Sequence, residues 1–148
     1  MIRYEPMDRR HLPGVMRLAG AEDWRSYAKR PEAAWKALTA PGGITLVATE
    51  GRKVLGFAHM MGDGRVQAHL AAVVVGRRHR RRGIGRRLVT EAFKRLGGKW
   101  LNVITDDADD FYRSFAHEEW HGYRVYPQRK PRRRAKRKPR VSPDRAVL

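Results

Sequence analysis

The stretch HLAAVVVGRRHRRRGIGRRLVTEAFKRL, residues 69–96, decides the fold of this chain. Residues 69–75 form an apolar run rich in β-branched side chains, which favours a strand. From Ile84 to Leu96, apolar side chains recur at offsets of four and five, the spacing of one helix face. A run of arginines with Gly83 and Gly85 lies between the two. The stretch therefore predicts a strand, a basic glycine loop and a helix.

Such a unit is suited to binding an anion. Gly83 and Gly85 have no Cβ, so the backbone can turn tightly and approach a ligand closely. The first N–H groups of the helix have no intrahelical acceptor, and they carry the positive end of the helix dipole. A phosphate or pyrophosphate would fit there. The alternative is that two glycines simply make the turn and that the arginines form a solvated charge run.

The flanking sequence predicts an ordered series of further elements. A first strand at residues 2–4 precedes a helix capped by Asp8 and ending near Ala21, and a second helix within 24–38 restarts at Pro31. Short glycine-containing turns separate three strands, at 44–49, 53–61 and 66–75. After the central helix we expect a strand at 100–105 parallel to the 66–75 strand, a helix at about 108–118 capped by Asp106 or Asp107, and a final strand at 120–126.

Two motifs resemble the GNAT superfamily of acyl-CoA N-acyltransferases. Arg80 to Gly85 fits the signature R/Q-x-x-G-x-G/A, and Ala108 to Tyr112 fits A-x-x-F-Y. The element order is similar up to Tyr126. The resemblance implies an α/β protein of the α+β kind, in which about four helices flank a mixed, mostly antiparallel sheet with a splayed parallel pair. It also implies acetyl-CoA as co-substrate, with no metal.

The resemblance assigns acetyl-CoA contacts to two segments. Backbone groups of the strand that precedes the loop meet the pantetheine arm, and those of the loop and helix start bind the pyrophosphate. The residues at these positions are Val73, Val74, Val75, Arg80, Arg81, Arg82, Gly83, Ile84, Gly85 and Arg86. The valines can also be ordinary core residues, because backbone and side chain face different partners.

Transfer to an amine needs a proton acceptor and a proton for the departing thiolate. His69 is the candidate base, since its ordinary pKa of about 6.5 suits neutral pH and some GNAT enzymes carry a base at this strand position. His59 or a nearby carboxylate is the substitute. Tyr112 of the F-Y pair is the candidate general acid. The alternative for Tyr112 is packing beneath the loop, and Phe111 is expected in the core.

Charge is distributed unevenly along the 148 residues, whose formal net charge is +18. Residues 1–126 form the expected acetyltransferase domain. Residues 127–148 hold ten Lys or Arg and one Asp among several prolines and few apolar residues, so we expect a disordered basic tail. Residues 129–140 could then bind nucleic acid without sequence preference. The apolar runs are too short for a membrane span, no secretion signal is recognisable and there is no cysteine, so a cytoplasmic protein without membrane contact is expected.

The acceptor is expected to be an amine of a small molecule or a protein, and its identity stays open. The family often has Asn where this chain has Thr105, and the sequence beyond Tyr126 turns into the tail. The Thr105 departure concerns a contact to the pantetheine arm, whereas the region after Tyr126 normally builds the wall of the acceptor site. We therefore expect one of three arrangements: an open acceptor site, a site suited to a bulky acceptor, or a site completed by a second subunit in a homodimer. The alternative of another class is a non-catalytic GNAT scaffold that binds nucleic acid through its basic loop and tail.

Overall fold

A computed structural model describes residues 1–22 and 29–128 of the chain. Its sheet has five strands: β1 (Arg3–Pro6), β2 (Gly43–Glu50), β3 (Lys53–Gly62), β4 (Gln67–Val75) and β5 (Trp100–Val103). They lie in the order β1-β2-β3-β4-β5. The first three pairings are antiparallel, and β4 pairs with β5 in parallel. The predicted mixed, mostly antiparallel sheet is confirmed.

The described residues contain four α-helices: α1 (Leu12–Ala21), α2 (Pro31–Leu38), α3 (Ile84–Leu96) and α4 (Asp109–Arg113). Asp8 caps a 3₁₀ turn, Arg9–His11, that leads into α1, and its side chain accepts the backbone N–H of Arg10. The helix start at Pro31 agrees with the sequence. The first part of the predicted 24–38 helix lies outside the described residues.

Contacts divide the chain into two compact units, residues 1–103 and the part from Ile104 onward. In the first unit, the two faces of the sheet carry different helices. One face packs on α1 and α2 through the apolar residues Leu12, Val15, Leu18, Ala19, Ala34, Leu38, Val47, Phe57, Ala72 and Val74. On the opposite face, Leu88 of α3 lies over Gly56. A Cβ added to Gly56 would lie 3.3 Å from the Leu88 Cδ1 atom and 2.8 Å from the Val74 carbonyl oxygen of the neighbouring strand. Gly56 therefore lets α3 approach the sheet closely.

The second unit differs from the sequence prediction in three respects. The strand expected at 120–126 is wrong, since these residues form neither strand nor helix. A strand needs a neighbour to pair its backbone groups, and no described strand pairs with this segment. The helix expected at 108–118 is only Asp109–Arg113, and at its end the Ser114 hydroxyl donates to the Phe111 carbonyl at 2.6 Å.

The cap of this last helix was also predicted wrongly. Its N-cap is Ala108, without a side-chain cap. Instead, the Thr105 hydroxyl accepts the Ala108 N–H at 3.0 Å, so the turn before the helix is closed by a threonine rather than by Asp106 or Asp107. The preceding strand β5 ends at Val103, two residues earlier than expected.

Candidate active site

Strand β4 parts from its parallel neighbour half-way along. It pairs with β3 over residues 68–75, whereas its pairing with β5 covers only residues 67–70. The break coincides with a bulge, since the register with β3 shifts between His59 and Met60. Beyond Leu70, one edge of β4 is therefore not paired with β5. This separation of the two parallel strands is the splay that the family resemblance implied.

The backbone of the valines can be oriented from the pairing. Gly76 donates its N–H to the Leu55 carbonyl at 2.8 Å, so Gly76 faces β3. Alternate residues of a strand direct their backbone groups toward the same neighbour. Val74 consequently faces β3 as well, while Val73 and Val75 face the edge that β5 has left. Peptide-like groups of a ligand could pair with this edge as another strand would.

The loop after β4 adopts two left-handed backbone conformations. Arg81 has a φ of +60°, the only positive φ of a non-glycine residue in the described part of the chain, and Gly83 has a φ of +76°. Non-glycine residues in this region are strained and cluster at functional sites. A Cβ added to Gly83 would meet no atom within 4 Å. The open space in front of Gly83 leaves room for a ligand close to the backbone.

Helix α3 begins directly at this loop. Its N-cap is Gly83, without a side-chain cap, so the first N–H groups of a 13-residue helix point out from the loop. Arg86 and Arg87 are exposed on the first turn, and the Arg87 guanidinium lies 4.6 Å from the ring centre of Tyr4. Backbone donors, helix dipole and arginines together favour an anion here.

The positive electrostatic potential of the loop affects the pKa of His79. Burial lowers the pKa of His79 below its ordinary value of 6.5, and nearby Lys53, Arg82 and Arg78 lower it further, while Glu50 opposes them. Burial disfavours charge of either sign, whereas the positive charges of Lys53, Arg82 and Arg78 specifically favour a negative one. The loop is thus electropositive before any ligand arrives.

The side chain of Arg80 points inward rather than toward a ligand. It is only 6% exposed, its Nε donates to the Val75 carbonyl at 3.0 Å, and its Nη2 lies 2.6 Å from Glu22 Oε2 at the C-terminal end of α1. The Glu22 side chain is 9% exposed. Arg80 therefore links the loop to the end of β4 and to α1, and the exposed arginines of the loop are left to meet an anion.

The two candidate histidines occupy different surroundings. His69 is half-buried and pairs across the sheet with Met61 of β3 and Asn102 of β5, one residue before the splay begins. His59 is 2% exposed, and its Nδ1 lies 2.9 Å from the Thr45 hydroxyl. His69 is therefore the more accessible of the two.

Hydrogen bonds assign a tautomer to His59. The Thr45 hydroxyl donates its single proton to the Leu38 carbonyl at 2.6 Å, so it must accept from His59 Nδ1. Burial lowers the pKa of His59, His69 lowers it further, and a backbone hydrogen bond at Ile44 opposes the shift. His59 is thus held in the core between Thr45 and its other neighbours, and its low exposure makes it the less accessible candidate for the base.

Tyr112 lies in the second unit on α4. Its ring packs edge-on against Phe111 with centroids 5.0 Å apart, and Phe111 meets Phe115 at 5.4 Å. Phe111 is buried, as predicted. Burial raises the pKa of Tyr112 far above its ordinary value, and the negative charge of Asp107 adds to the rise. The hydroxyl therefore keeps its proton at every pH at which the protein would work.

The first unit brings most of the predicted residues together. The end of β4 with Val73 and Val75 leads directly through the loop to the start of α3, so these parts of the candidate site are adjacent. His69 lies on the same strand, at the other end of the open edge. The sequence missed Glu22, because no local pattern connects position 22 with position 80. It also missed Thr45, whose partner His59 lies on the neighbouring strand.

The chain belongs to the GNAT family. Residues 41–117 match the family model described as an acetyltransferase (GNAT) domain, which is more than half of the sequence. No curated protein sequence matches the chain. The family assignment agrees with the splayed strands and the glycine loop described above.

Solved structures show the same fold at low sequence identity. A transcriptional regulator from Bacillus halodurans C-125 has a TM-score of 0.71 at 19% identity, covering 85% of this chain and 99% of its own. A GNAT family acetyltransferase from Streptococcus pneumoniae TIGR4 has a TM-score of 0.68 at 23% sequence identity, and the match covers 88% of this chain and 100% of that protein. The aminoglycoside N-acetyltransferase AAC(6')-Iy, solved in complex with CoA, has a TM-score of 0.70 at 17% sequence identity, and the match covers 88% of this chain and 96% of that protein.

Within residues 1–22 and 29–128, no helix has the length and apolar character needed to cross a membrane. The same residues contain no group of three or more acidic or histidine side chains placed to hold a metal ion.

Proposed function

We propose that this protein transfers the acetyl group of acetyl-CoA to a primary amine. The observation that carries the proposal is the open edge of β4 next to the start of α3. The edge offers both backbone groups of Val73 and the N–H of Val75 to the amides of the pantetheine arm, while the Val75 carbonyl accepts from Arg80. The loop and the first turn of α3 offer N–H groups and arginines to the pyrophosphate.

In this proposal the residues from Arg80 to Arg86 have two different roles, contact with the pyrophosphate and support of the loop. Arg81, Arg82, Gly83, Ile84, Gly85 and Arg86 supply backbone donors and positive charge to the pyrophosphate. Arg80 fixes the loop from within through Glu22 and Val75. The exposed arginines raise the local concentration of the polyanionic co-substrate.

The reaction in this proposal is direct transfer. The neutral amine nitrogen attacks the acetyl carbonyl carbon, the C–S bond breaks, and the thiolate takes a proton. His69 accepts a proton from the amine, directly or through water, because an ammonium group of pKa about 10.4 must lose its proton first. An N–H of the open edge stabilises the developing oxyanion.

Tyr112 is the proposed proton donor to the thiolate. Its raised pKa supports this role only in the sense that the hydroxyl remains protonated. A CoA thiol has an ordinary pKa near 8.5, so the assistance needed is modest. We expect Tyr112→Phe to lower kcat by about a hundredfold, the lower end of the range for a single general acid or base.

The test is release of free CoA thiol from acetyl-CoA with a panel of small amines that includes aminoglycosides, since aminoglycoside acetyltransferases share the fold. The proposal predicts turnover that falls both in Tyr112→Phe and in His69→Gln. The matched control is Tyr123→Phe, which removes the same hydroxyl from an exposed tyrosine. Absence of turnover with every amine, although acetyl-CoA binds, would favour the non-catalytic scaffold.

A further inference from the structure

Arg81 adopts a backbone conformation that its own side chain does little to stabilise. Its φ of +60° lies in the left-handed region, where a residue with a Cβ is strained. The residue is exposed, so packing around its side chain contributes little to the conformation. Strain of this kind persists only where the surrounding structure fixes the chain. The groups that hold Arg81 must therefore lie on neighbouring residues.

The chain is fixed immediately before Arg81. The Arg80 side chain folds back to the end of β4, where its Nε donates to the Val75 carbonyl at 3.0 Å, and its Nη2 lies 2.6 Å from Glu22 Oε2. A buried ion pair resists opening, because breaking it leaves a charge in a poorly solvated place. Arg80 is thereby tied both to the end of β4 and to the end of α1.

The chain is fixed again two residues after Arg81. Gly83 has a φ of +76° and is the N-cap of α3, and its carbonyl accepts the N–H of Arg87 at 3.0 Å. Only Arg81 and Arg82 lie between Arg80 and this helix start. Because both ends of so short a segment are fixed, a negative φ at Arg81 would require one of them to move.

Glu22 occupies a position at which its own helix does not favour a carboxylate. It is the C-cap of α1, the end at which the helix dipole is negative, and its side chain is almost completely buried. Both features make a negative charge unfavourable there unless a positive charge lies next to it, and Arg80 supplies that charge. The position of Glu22 is therefore better explained by the loop than by α1.

We infer that Glu22 is a positioning residue for acyl-CoA binding, because through Arg80 it keeps Arg81 in the left-handed conformation. This role rests on the proposed function and adds to it a residue of α1, outside the strand, loop and helix that meet the co-substrate. Left-handed residues turn backbone N–H groups into the concave arrangement that binds anions. The ion pair therefore prepares the loop for the pyrophosphate before the co-substrate arrives.

Removing the charge of Glu22 should lower the affinity for acetyl-CoA. Without that charge the loop can relax to a negative φ at Arg81, and the apparent affinity falls with the fraction of molecules that keep the binding conformation. A strained residue of this kind is populated about tenfold less than its relaxed form. We therefore expect Glu22→Gln to raise the Kd for acetyl-CoA by about tenfold.

The test is calorimetric titration of acetyl-CoA into the full chain and its variants. Arg81→Gly and Arg81→Ala remove the same guanidinium, but only glycine adopts a positive φ without strain. In the Glu22→Gln background, the glycine variant should bind at least about fivefold more tightly than the alanine variant. With Glu22 present, the two variants should agree within about twofold, because the ion pair holds either residue in the left-handed conformation.

Hydrogen exchange of the loop amides, residues 81–86, gives a second readout in the ligand-free protein. Exchange should be faster in Glu22→Gln than in wild type. It should not change in Glu32→Gln, which neutralises one partner of an exposed ion pair. Unchanged exchange in Glu22→Gln would overturn the role of Glu22, whether or not the wild type binds acetyl-CoA.

The calorimetric results separate this role from the proposed function. If wild type and Glu22→Gln bind acetyl-CoA equally well, the role of Glu22 is wrong and the acyl-CoA site stands. Equal affinities of the glycine and alanine variants in the Glu22→Gln background would show that Glu22 stabilises the fold without holding Arg81, which also overturns the role. If the wild type does not bind acetyl-CoA, the proposed function and the role of Glu22 fail together.

Discussion

Neutralising Glu22 should destabilise the loop that precedes α3, although Glu22 lies far from that loop in sequence. In the structure its carboxylate is 2.6 Å from Arg80 Nη2, and both side chains are almost fully buried. Glu22→Gln keeps size and shape but leaves a buried guanidinium without its counter-charge. The perturbation therefore acts on the ion pair rather than on packing.

The expected loss in the free energy of unfolding is about 3 kcal/mol, the lower end of the range for breaking a buried ion pair from one side. The lower end applies because the Gln carbonyl can still accept a hydrogen bond from Arg80. Arg80→Gln should cost a similar amount, since it removes the positive charge beside the buried Glu22 carboxylate. The double variant removes both charges, so its loss should fall short of the sum of the single losses by about 1–3 kcal/mol.

Urea unfolding at neutral pH measures these losses. Glu32→Gln is the matched control, because Glu32 also pairs with an arginine, Arg9, but is 69% exposed, so its loss should not exceed about 0.5 kcal/mol. Hydrogen exchange of the loop amides, residues 81–86, should accelerate in Glu22→Gln and not in Glu32→Gln. Equal behaviour of the two variants, or additive losses in the double variant, would refute the reasoning.

Two further predictions concern the core. The pKa of His59 is lowered in the folded protein, so as the pH decreases below about 6.5 the unfolded chain takes up a proton before the folded one does, and the free energy of unfolding should decrease. His59→Gln should reduce this decrease in urea titrations between about pH 7.5 and 5.5. An unchanged dependence of stability on pH would contradict the lowered pKa. An added methyl group at Gly56 would lie 2.8 Å from the Val74 carbonyl oxygen of β4 and 3.3 Å from Leu88 Cδ1 of α3. Gly56→Ala should therefore lower stability by about 1–3 kcal/mol, and a variant as stable as wild type would contradict this close packing around Gly56.

Local patterns in the sequence identified the elements that build the candidate site. The apolar spacing from Ile84 predicted α3 with its observed start and end, Ile84–Leu96. The strand-like runs predicted β2, β3 and β4 to within about one residue at each end, because hydrophobic alternation and glycine turns are local signals. The arginine and glycine motif, Arg80 to Gly85, placed the loop.

What the sequence could not supply were relations between distant residues. The Arg80–Glu22 pair and the Thr45–His59 bond join positions that no periodic pattern connects, and they change the roles assigned to both Arg80 and His59. The expected strand at 120–126 failed for a related reason. A strand-like composition forms a strand only where a neighbour pairs its backbone.

The most direct test of the central claim, an acyl-CoA site at the start of α3, is calorimetric titration of acetyl-CoA into three proteins. Wild type should bind one molecule per chain. Gly83→Val should bind at least about a hundredfold more weakly, because Gly83 has a φ of +76° and its added side chain would occupy the open space of the loop.

The control is Gly51→Val in the turn between β2 and β3, where φ is +59° and nothing lies within 4 Å, so that its backbone strain is similar. This variant should bind acetyl-CoA as wild type does. That pattern would establish the loop as the acyl-CoA site. Absence of binding by wild type, or wild-type affinity in Gly83→Val, would contradict it.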